Sequence, residues 1–426
     1  MFRPGGPAAQ SRRGLRISEK VHKNVVTRGT LRNLIIALLL VFSSMTACGP
    51  VGAGAPTTST PRPRVRIPAR TTSPIPATPD LLAFHMVTSS MGWGLTSGSV
   101  WRTQTSATRW ARVGRLPGGM VSWDAPTTQI AWFVCQTDAS RPGLVVTWTT
   151  DGGASWKSVH LNTPWPVVTT SLTVTAGGFG SLLASGSVAL QTGPQVLWRI
   201  DSNQLTTTPV YSIANGDFVA TNWQSPQQGW MTTSSDALPD NTTVLYYTQD
   251  GGSRWSPVAL PVPRLPGSAA SSNPKLQPSL QLITPPVPVT GTDTAMLPAP
   301  LLVPEDTKGI LTYHEFATLY RSSNMTTWSP IWEQAHLAIV DTRWISATQG
   351  WLLAKVSDGS RWTTATTTRG GVTWGNVTPV PLTSMWHQLD LISPSPTDAS
   401  LFELASGGVV VQYRTSDSGA QWHPAP

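Results

Sequence analysis

From about residue 80 onward the chain alternates short apolar runs with turns rich in Gly, Asp, Ser and Thr, and helical periodicity is nearly absent. The stretch Thr149–Trp156 (TTDGGASW) shows the pattern most clearly. The apolar run before it predicts a strand, Asp151 can accept backbone N–H bonds across the turn, and the two glycines allow backbone angles that a side chain forbids. Trp156 then opens the return strand. The pattern predicts a hairpin that is fixed by its turn.

This hairpin recurs along the chain. Seven copies end at equivalent positions, which are Trp110, Trp156, Thr206, Trp255, Trp328, Trp374 and Trp422. The spacing is 46 to 50 residues except for one of 73 residues. A period of this length is typical of a four-stranded propeller blade. We therefore predict an all-β, seven-bladed β-propeller over residues 80–426, in which a Pro/Ser-rich loop at about 261–278 explains the long spacing. We expect strands at 130–135, 143–149 and 155–159 in blade two, and the outer strand of blade three at 206–210.

The repeated turn resembles the Asp box (BNR repeat), S/T-x-D-x-G-x-x-W, of sialidase-like β-propellers. Several copies follow a Gly-Trp or Ala-Trp pair, as at 92–93 and 131–132, and this combination is similar to the repeats of photosystem II assembly and stability factors and their bacterial relatives. The resemblance implies that the boxes are structural and lie on the face opposite the ligand site. The box residues expected to be structural are Asp151, Trp156, Asp250, Trp255, Trp374, Asp417 and Trp422.

The N-terminal part predicts export. Residues 1–47 have a basic front and a short apolar core, which is typical of a signal peptide. Met45–Cys48 resembles a bacterial lipobox, so Cys48 is the predicted lipidation site. The alternative is an uncleaved or an ordinarily cleaved signal in which this cysteine has no role. Residues 48–79 read as a Pro/Thr/Ser-rich tether. Together they predict a lipid-anchored protein on the extracytoplasmic face of the cell membrane.

The net charge of +8 arises almost entirely in this leader, because residues 1–47 contribute +7 while residues 80–426 carry a net charge of −3. A basic protein would suggest nucleic acid as a partner. The mildly acidic propeller argues against nucleic-acid binding.

The sequence offers little for catalysis. Cys48 and Cys135 are the only cysteines, and we expect Cys135 to be a buried, inert thiol. No two histidines have metal-ligand spacing, so no metal and no cofactor are predicted. A glycosidase needs two positioned carboxylates, and no motif selects a pair. The carboxylates that remain open near the blade entrances are Asp217, Asp341, Asp390 and Glu333.

Surface recognition is the remaining candidate. The chain has twenty tryptophans, more than the repeat positions use, and we expect several in the connections between blades. These candidate ligand-binding residues are Trp123, Trp165, Trp332, Trp386 and His387. One interpretation is that these aromatic side chains form platforms that bind sugar rings or an extended peptide. The alternative is that they pack between blades as part of the core. Two hypotheses stand: a non-catalytic binding or assembly module for a protein or glycan, and a sialidase-like extracellular glycoside hydrolase.

Overall fold

The computed structural model describes residues 79–136, 143–186, 193–216, 218–233, 245–263, 279–280, 284–307, 310–356, 361–375, 377–382 and 388–425. The predicted signal peptide, Cys48, nearly all of the tether, Trp386, His387 and most of the 261–278 loop lie outside these residues. The described residues form strands and turns without a helix. Accordingly, no helix in these ranges is long and apolar enough to cross a membrane.

Seven antiparallel sheets follow one another along the chain. The first three blades contain β1 (Ala83–Met86), β2 (Gly92–Thr96), β3 (Ser99–Thr103) and β4 (Trp110–Arg115); β5 (Gly119–Asp124), β6 (Ala131–Gln136), β7 (Gly143–Thr149) and β8 (Lys157–Asn162); and β9 (Thr169–Val174), β10 (Gly180–Ser185), β11 (Gly193–Asp201) and β12 (Gln204–Leu205). A further strand, β13 (Tyr211–Gly216), also pairs with β11.

The other four blades repeat this order. They contain β14 (Phe218–Trp223), β15 (Gly229–Thr233), β16 (Leu245–Thr248) and β17 (Ser256–Val258); β18 (Ser279–Leu280), β19 (Val287–Pro288), β20 (Ala295–Thr307), β21 (Ile310–Ser322) and β22 (Ser329–Ala335); β23 (Leu337–Trp344), β24 (Gly350–Val356), β25 (Trp362–Thr367) and β26 (Thr378–Val380); and β27 (Leu389–Ile392), β28 (Ala399–Leu404), β29 (Val410–Thr415) and β30 (His423–Pro424). The prediction of a seven-bladed propeller is confirmed.

The details differ from the prediction in three places. The sequence predicted no strand over β5, the inner strand of blade two, because its weak Met-Val-Ser-Trp pattern lies between loop-like segments. In blade three the outer strand was expected at 206–210, whereas the structure has the two-residue β12 and then β13. In blade five, β20 and β21 form a hairpin of thirteen residues per strand, twice the usual length.

The core lies between the blades. The tryptophan that follows the small residue at the start of the second strand is fully buried in four blades, as Trp93, Trp132, Trp230 and Trp351. Some of these rings meet the box tryptophan of another blade edge-on: Trp351 packs on Trp422 with ring centroids 6.1 Å apart, and Trp230 packs on Trp328 at 6.2 Å. Burial of these large rings supplies much of the hydrophobic stabilisation.

In the four odd-numbered blades an arginine precedes the box. Its side chain reaches the box of the following blade. Arg102 of blade one donates to the carbonyl oxygen of Gly152 in blade two at 3.4 Å, and Arg414 of blade seven donates to the hydroxyl of Ser106 in blade one at 3.4 Å. Arg199 and Arg321 approach the box glycines of blades four and six in the same way. The three even-numbered blades carry no arginine at this position.

No strand is shared between the first and last blades, since β1–β4 and β27–β30 each form a complete sheet. The ring is therefore closed by side chains, by a backbone hydrogen bond from the N–H of Leu81 to the carbonyl of Gly408 at 3.4 Å, and by apolar packing of Leu81, Phe84 and Met86 against Phe402 and Leu404. The stability of the closed ring therefore depends on the contacts at the seam between blades seven and one.

Candidate functional site

The box turns are held together by their own side chains. In blade two the hydroxyl of Thr149 donates to Asp151 Oδ1 at 2.8 Å and accepts from the backbone N–H of Gly153 at 2.9 Å. Asp151 Oδ1 also accepts from the N–H of Ser155 at 2.9 Å. Gly152 and Gly153 have φ values of +73° and +91°, which a side chain rarely adopts. The turn is thus a self-contained hydrogen-bonded unit.

Two other boxes repeat this geometry. Asp250 accepts from the hydroxyl of Thr248 at 2.9 Å, and Asp417 accepts from that of Thr415 at 2.7 Å. Each aspartate also accepts a backbone N–H four residues further on. These bonds stabilise the ionised carboxylate. Burial alone would raise the pKa of Asp250, but the bonds together outweigh it and the pKa is lowered, as is that of Asp417. Bonds from the side chain and backbone of Ser155 lower the pKa of Asp151 to about 2.

The box turns share a face with the turns that connect the first and second strands. The N–H of Gly152 donates to the carbonyl of Gln129 at 2.9 Å, and the N–H of Gly251 donates to that of Gln227 at 3.0 Å. Blade six repeats the contact between Gly370 and Thr348 at 2.7 Å. The last residues of each inner strand therefore lie toward the box face of the ring.

The predicted aromatic platforms are half-buried. Trp123 and Trp332 lie in strands β5 and β22, so their placement in connections between blades was wrong. Of the three tryptophans that the structure describes, Trp165 alone lies in such a connection. Trp123 stacks on Phe133 with ring centroids 6.0 Å apart, and Trp332 packs on Trp374 at 6.0 Å. Trp165 packs against the core of blades two and three. All three rings contribute to packing, with part of each surface left accessible.

First strands of neighbouring blades contact each other at β5 and β9, at β9 and β14, at β23 and β27, and at β27 and β1. The first strands of a propeller line the centre of the ring. Five ionisable side chains from four blades occupy this lining: His85 of blade one, Asp124 of blade two, Asp341 and Arg343 of blade six, and Asp390 of blade seven. His85, Asp124 and Arg343 are each the last or next-to-last residue of their strand. We call these five residues the channel cluster.

Asp390 joins three blades within the channel cluster. Its Oδ2 accepts from the backbone N–H of Met86 at 2.8 Å, and its Oδ1 lies 3.2 Å from Nδ1 of His85, both in blade one. The same Oδ1 lies 3.8 Å from Nη2 of Arg343 in blade six. Beside it, the side-chain amide of Gln388 accepts from the N–H of Phe84 at 3.0 Å. The first and last blades are thus hydrogen-bonded through blade-seven side chains.

Asp341 and Arg343 form a second ion pair in the channel cluster, with Nε of Arg343 at 3.0 Å from Oδ2 of Asp341. Of the four carboxylates left open from the sequence, Asp341 and Asp390 are brought together by Arg343. Glu333 lies on the outer strand β22, and Asp217 lies outside the described residues. Burial raises the pKa of Asp341, and the charge of Arg343 only partly offsets this.

Asp124 was missed from the sequence. Its Oδ2 accepts from the backbone N–H of Val174 in blade three at 2.7 Å. Burial raises its pKa to about 6 despite that bond and the nearby His85. Burial also lowers the pKa of His85, but the charge and hydrogen bond of Asp390 outweigh it, so the pKa of His85 is raised. Two groups with raised pKa values therefore interact beside the channel.

A regular offset in the sequence could have revealed this position. His85, Asp124 and Arg343 each lie seven residues before the small residue that precedes a second-strand tryptophan, and each pairs across the sheet with that tryptophan. Thr173 and Asn222 occupy the same position in blades three and four. The inner position of the repeat is thus polar in five blades.

A cavity opens beside the channel cluster. It has a volume of about 150 Å³ and is lined by His85, Trp123, Asp124, Ala125 and Gln388. The edge of His85 faces Trp123, with ring centroids 6.5 Å apart at 80°. Within the part of the chain that the structure describes, no group of three or more His, Cys, Asp or Glu side chains is arranged to hold a metal ion. The cavity therefore offers a carboxylate, an imidazole and an indole to a ligand.

No family model and no curated protein matches the chain. Among solved structures, the chain is similar to the tricorn protease, at 10% identity and a TM-score of 0.49 over 80% of this chain and 34% of that one. It is also similar to a post-proline cleaving enzyme from Rickettsia typhi, at 7% identity and a TM-score of 0.46 over 83% of this chain and 53% of that one. A third similar structure is the uncharacterized protein lmo1340 from Listeria monocytogenes EGD-e, at 7% identity and a TM-score of 0.43 over 80% of this chain and 92% of that one. The chain thus spans only about a third and about half of the first two proteins. At these scores no function is transferred.

Proposed function

We propose that this protein is a lipid-anchored, extracytoplasmic β-propeller that acts as a non-catalytic binding or assembly module for a protein or glycan. The observation that carries the proposal is the commitment of the channel carboxylates to structure. Asp390 and Asp124 each accept a backbone N–H from the following blade, and Asp341 pairs with Arg343. Groups held in this way keep the ring closed and are poorly placed to exchange protons with a substrate.

The anchor follows from the sequence around Cys48, and the two cysteines provide a matched test. The full chain is expressed in a bacterium that is fed an alkyne-tagged fatty acid, and label and membrane fractionation are measured. We expect Cys48→Ser to abolish the label and to release the protein from membranes. Cys135→Ala removes the other thiol, which is fully buried, and should leave both unchanged. Label that persists in Cys48→Ser would exclude the lipobox.

Recognition is tested on intact cells. The anchored protein is cross-linked at the cell surface, and the soluble extract is applied in parallel to immobilised glycans. We expect a reproducible protein or glycan partner whose capture survives Asp124→Asn, because Asn can still accept the Val174 N–H and keeps the blade in place. Absence of any partner in both formats would argue against a binding module.

The glycoside hydrolase remains the second candidate, and one observation favours it. Asp124 has a raised pKa of about 6, as a general acid requires, beside an accessible cavity. The full chain is assayed against fluorogenic glycosides, including sialosides. We expect no hydrolysis above the buffer rate. Hydrolysis that is lost in Asp124→Asn would replace the binding module with the enzyme.

A further inference from the structure

The cavity beside the channel cluster has a chemistry of its own, separate from any partner on the outer faces. Its volume of about 150 Å³ is several times the roughly 30 Å³ that one water occupies in the liquid, so it can accept a group of several heavy atoms. Its wall combines the carboxylate of Asp124, the indole of Trp123 and the imidazole of His85. Each of these groups restricts the class of ligand.

The amide group of Gln388 is held by the backbone of blade one. Its amide oxygen accepts from the N–H of Phe84, and its amide nitrogen donates to the carbonyl of the same residue. His85 is different, since Nδ1 is held by Asp390 while the ring remains 28% exposed. Because a carboxylate at Nδ1 favours the tautomer with its hydrogen there, Nε2 of the neutral ring is an acceptor available to the cavity.

The charge balance of the channel cluster selects the sign of the ligand. The carboxylates of Asp124, Asp341 and Asp390 face one permanent cation, Arg343, and that cation is paired with Asp341 at 3.0 Å. With His85 neutral, the cluster carries two more negative than positive charges. An anion would be repelled, whereas a cation would be attracted by Asp124 and by the electron-rich face of an indole.

We propose that this cavity binds a protonated primary amine, with the ammonium group between the Asp124 carboxylate, Nε2 of His85 and the ring of Trp123. An ammonium group carries three N–H donors and a positive charge, and these three side chains line the same cavity, with two acceptors for the N–H groups and a ring face for the charge. The same chemistry is offered by a free small amine and by the amino terminus of a peptide. The site goes beyond the proposed surface recognition and does not depend on it.

Acidification should weaken this site through two groups. Asp124, with its pKa of about 6, loses its charge, and His85, with its raised pKa, gains one and loses its acceptor at Nε2. Asp390, Asp341 and Arg343 are the other charged groups that face them. Both changes oppose a cation, so affinity should fall as the pH is lowered from 7.5 to 5.

The test uses the full chain in detergent and isothermal titration calorimetry with propylamine, with propanol and propionate as neutral and anionic counterparts. We expect saturable binding of propylamine alone. Asp124→Asn should lower the affinity at least about tenfold, and Trp123→Phe should lower it by a few-fold while it keeps an aromatic ring. Asp201→Asn, at an exposed aspartate of the blade-three box turn, is the matched control and should leave the affinity unchanged.

A short peptide with a free or an acetylated amino terminus identifies the source of the amine. Tighter binding of the free peptide than of propylamine indicates a chain terminus, and equal or weaker binding indicates a small amine. The proposal is overturned if propylamine gives no saturable heat, if propanol binds as well, or if folded Asp124→Asn and Trp123→Phe, checked by thermal melting, both retain wild-type affinity. Failure here would leave the lipid anchor and the surface partner untouched.

Discussion

Aspartates serve two opposite purposes in this ring. In the box turns, Asp151 and Asp417 are exposed, make their hydrogen bonds within four residues, and have lowered pKa values. In the channel, Asp124 and Asp390 reach the backbone of the following blade. The first kind fixes a local turn that the sequence motif already specifies. The second kind joins segments that are 50 and 304 residues apart, so it stabilises the ring as a whole.

The difference teaches where the ring is vulnerable. A box turn is repeated in every blade, and a defect in one copy remains local. The seam between blades seven and one has no shared strand, and Asp390 is the side chain that bonds across it to both Met86 and His85. We therefore expect the largest effects at the seam and the smallest within single boxes.

Replacement of Asp390 by alanine should be the most damaging change. The side chain is only 7% exposed, and its removal leaves the Met86 N–H without an acceptor and leaves Arg343 with one carboxylate fewer. We expect a loss of about 3 kcal/mol in the free energy of unfolding, measured by urea denaturation followed through tryptophan fluorescence. The matched control is Asp398→Ala, at an exposed aspartate of the same blade. If the two variants have equal urea midpoints, Asp390 stabilises the ring no more than an exposed aspartate does.

Valine in place of Gly153 should come next, as a test of a single box. This glycine has φ of +91°, and a Cβ there would lie 2.8 Å from Cβ of Val113 in blade one. Strain in this region costs about 1 to 3 kcal/mol, so the melting temperature should fall. The control is Ala107→Gly at the related turn of blade one, where alanine already has φ of +63°. Destabilisation by both changes would mean that the box conformation is not the cause.

The two kinds of aspartate should contribute to the pH dependence of stability with opposite signs. Because the pKa of Asp124 is raised to about 6, the folded state binds more protons than the unfolded state between about pH 4 and pH 6, and its contribution to stability falls as the pH rises through that window. The pKa of Asp151 is lowered to about 2, so its contribution is present above pH 4 and is lost as the pH falls toward 2. Unfolding curves of the wild type, Asp124→Asn and Asp151→Asn, measured from pH 3 to pH 7.5, check both signs.

In that series Asp124→Asn should lose the part of the pH dependence between 4 and 6, whereas Asp151→Asn should keep it. His85 acts in the same direction as Asp124, because stability from its raised pKa is present below about pH 6.5 and is lost as the pH rises through the folded value. The double variant with His85→Gln should therefore be flatter still. An unchanged profile in Asp124→Asn would show that its carboxyl is not perturbed.

The sequence predicted the features whose contacts are between residues close together in the chain. A box such as Thr149–Trp156 carries its own partners within eight residues, so its recurrence predicted blade number and period. The channel cluster is not local, since Asp390 meets His85 across 305 residues. The offset of seven residues before the small residue of the second strand marks only His85, Asp124 and Arg343. In blade two that offset falls in β5, where no strand was expected. The placement of Trp123 was wrong for the same reason.

Repair of the one clear box that lacks an aspartate should give the smallest effect. In blade six, Arg369 stands at the aspartate position, and the hydroxyl of Thr367 donates to the carbonyl of Thr373 at 2.7 Å instead. Arg369→Asp would give this hydroxyl and a backbone N–H of the turn the acceptor that they have in blades two, four and seven. We expect a gain of about 0.5 to 1 kcal/mol. Arg361→Asp makes the same charge change at an exposed position of the same blade and should give no gain. Because the effect is confined to one turn, it should also add to that of Asp390→Ala without interaction, and a coupling between the two would show that box and seam are one cooperative system.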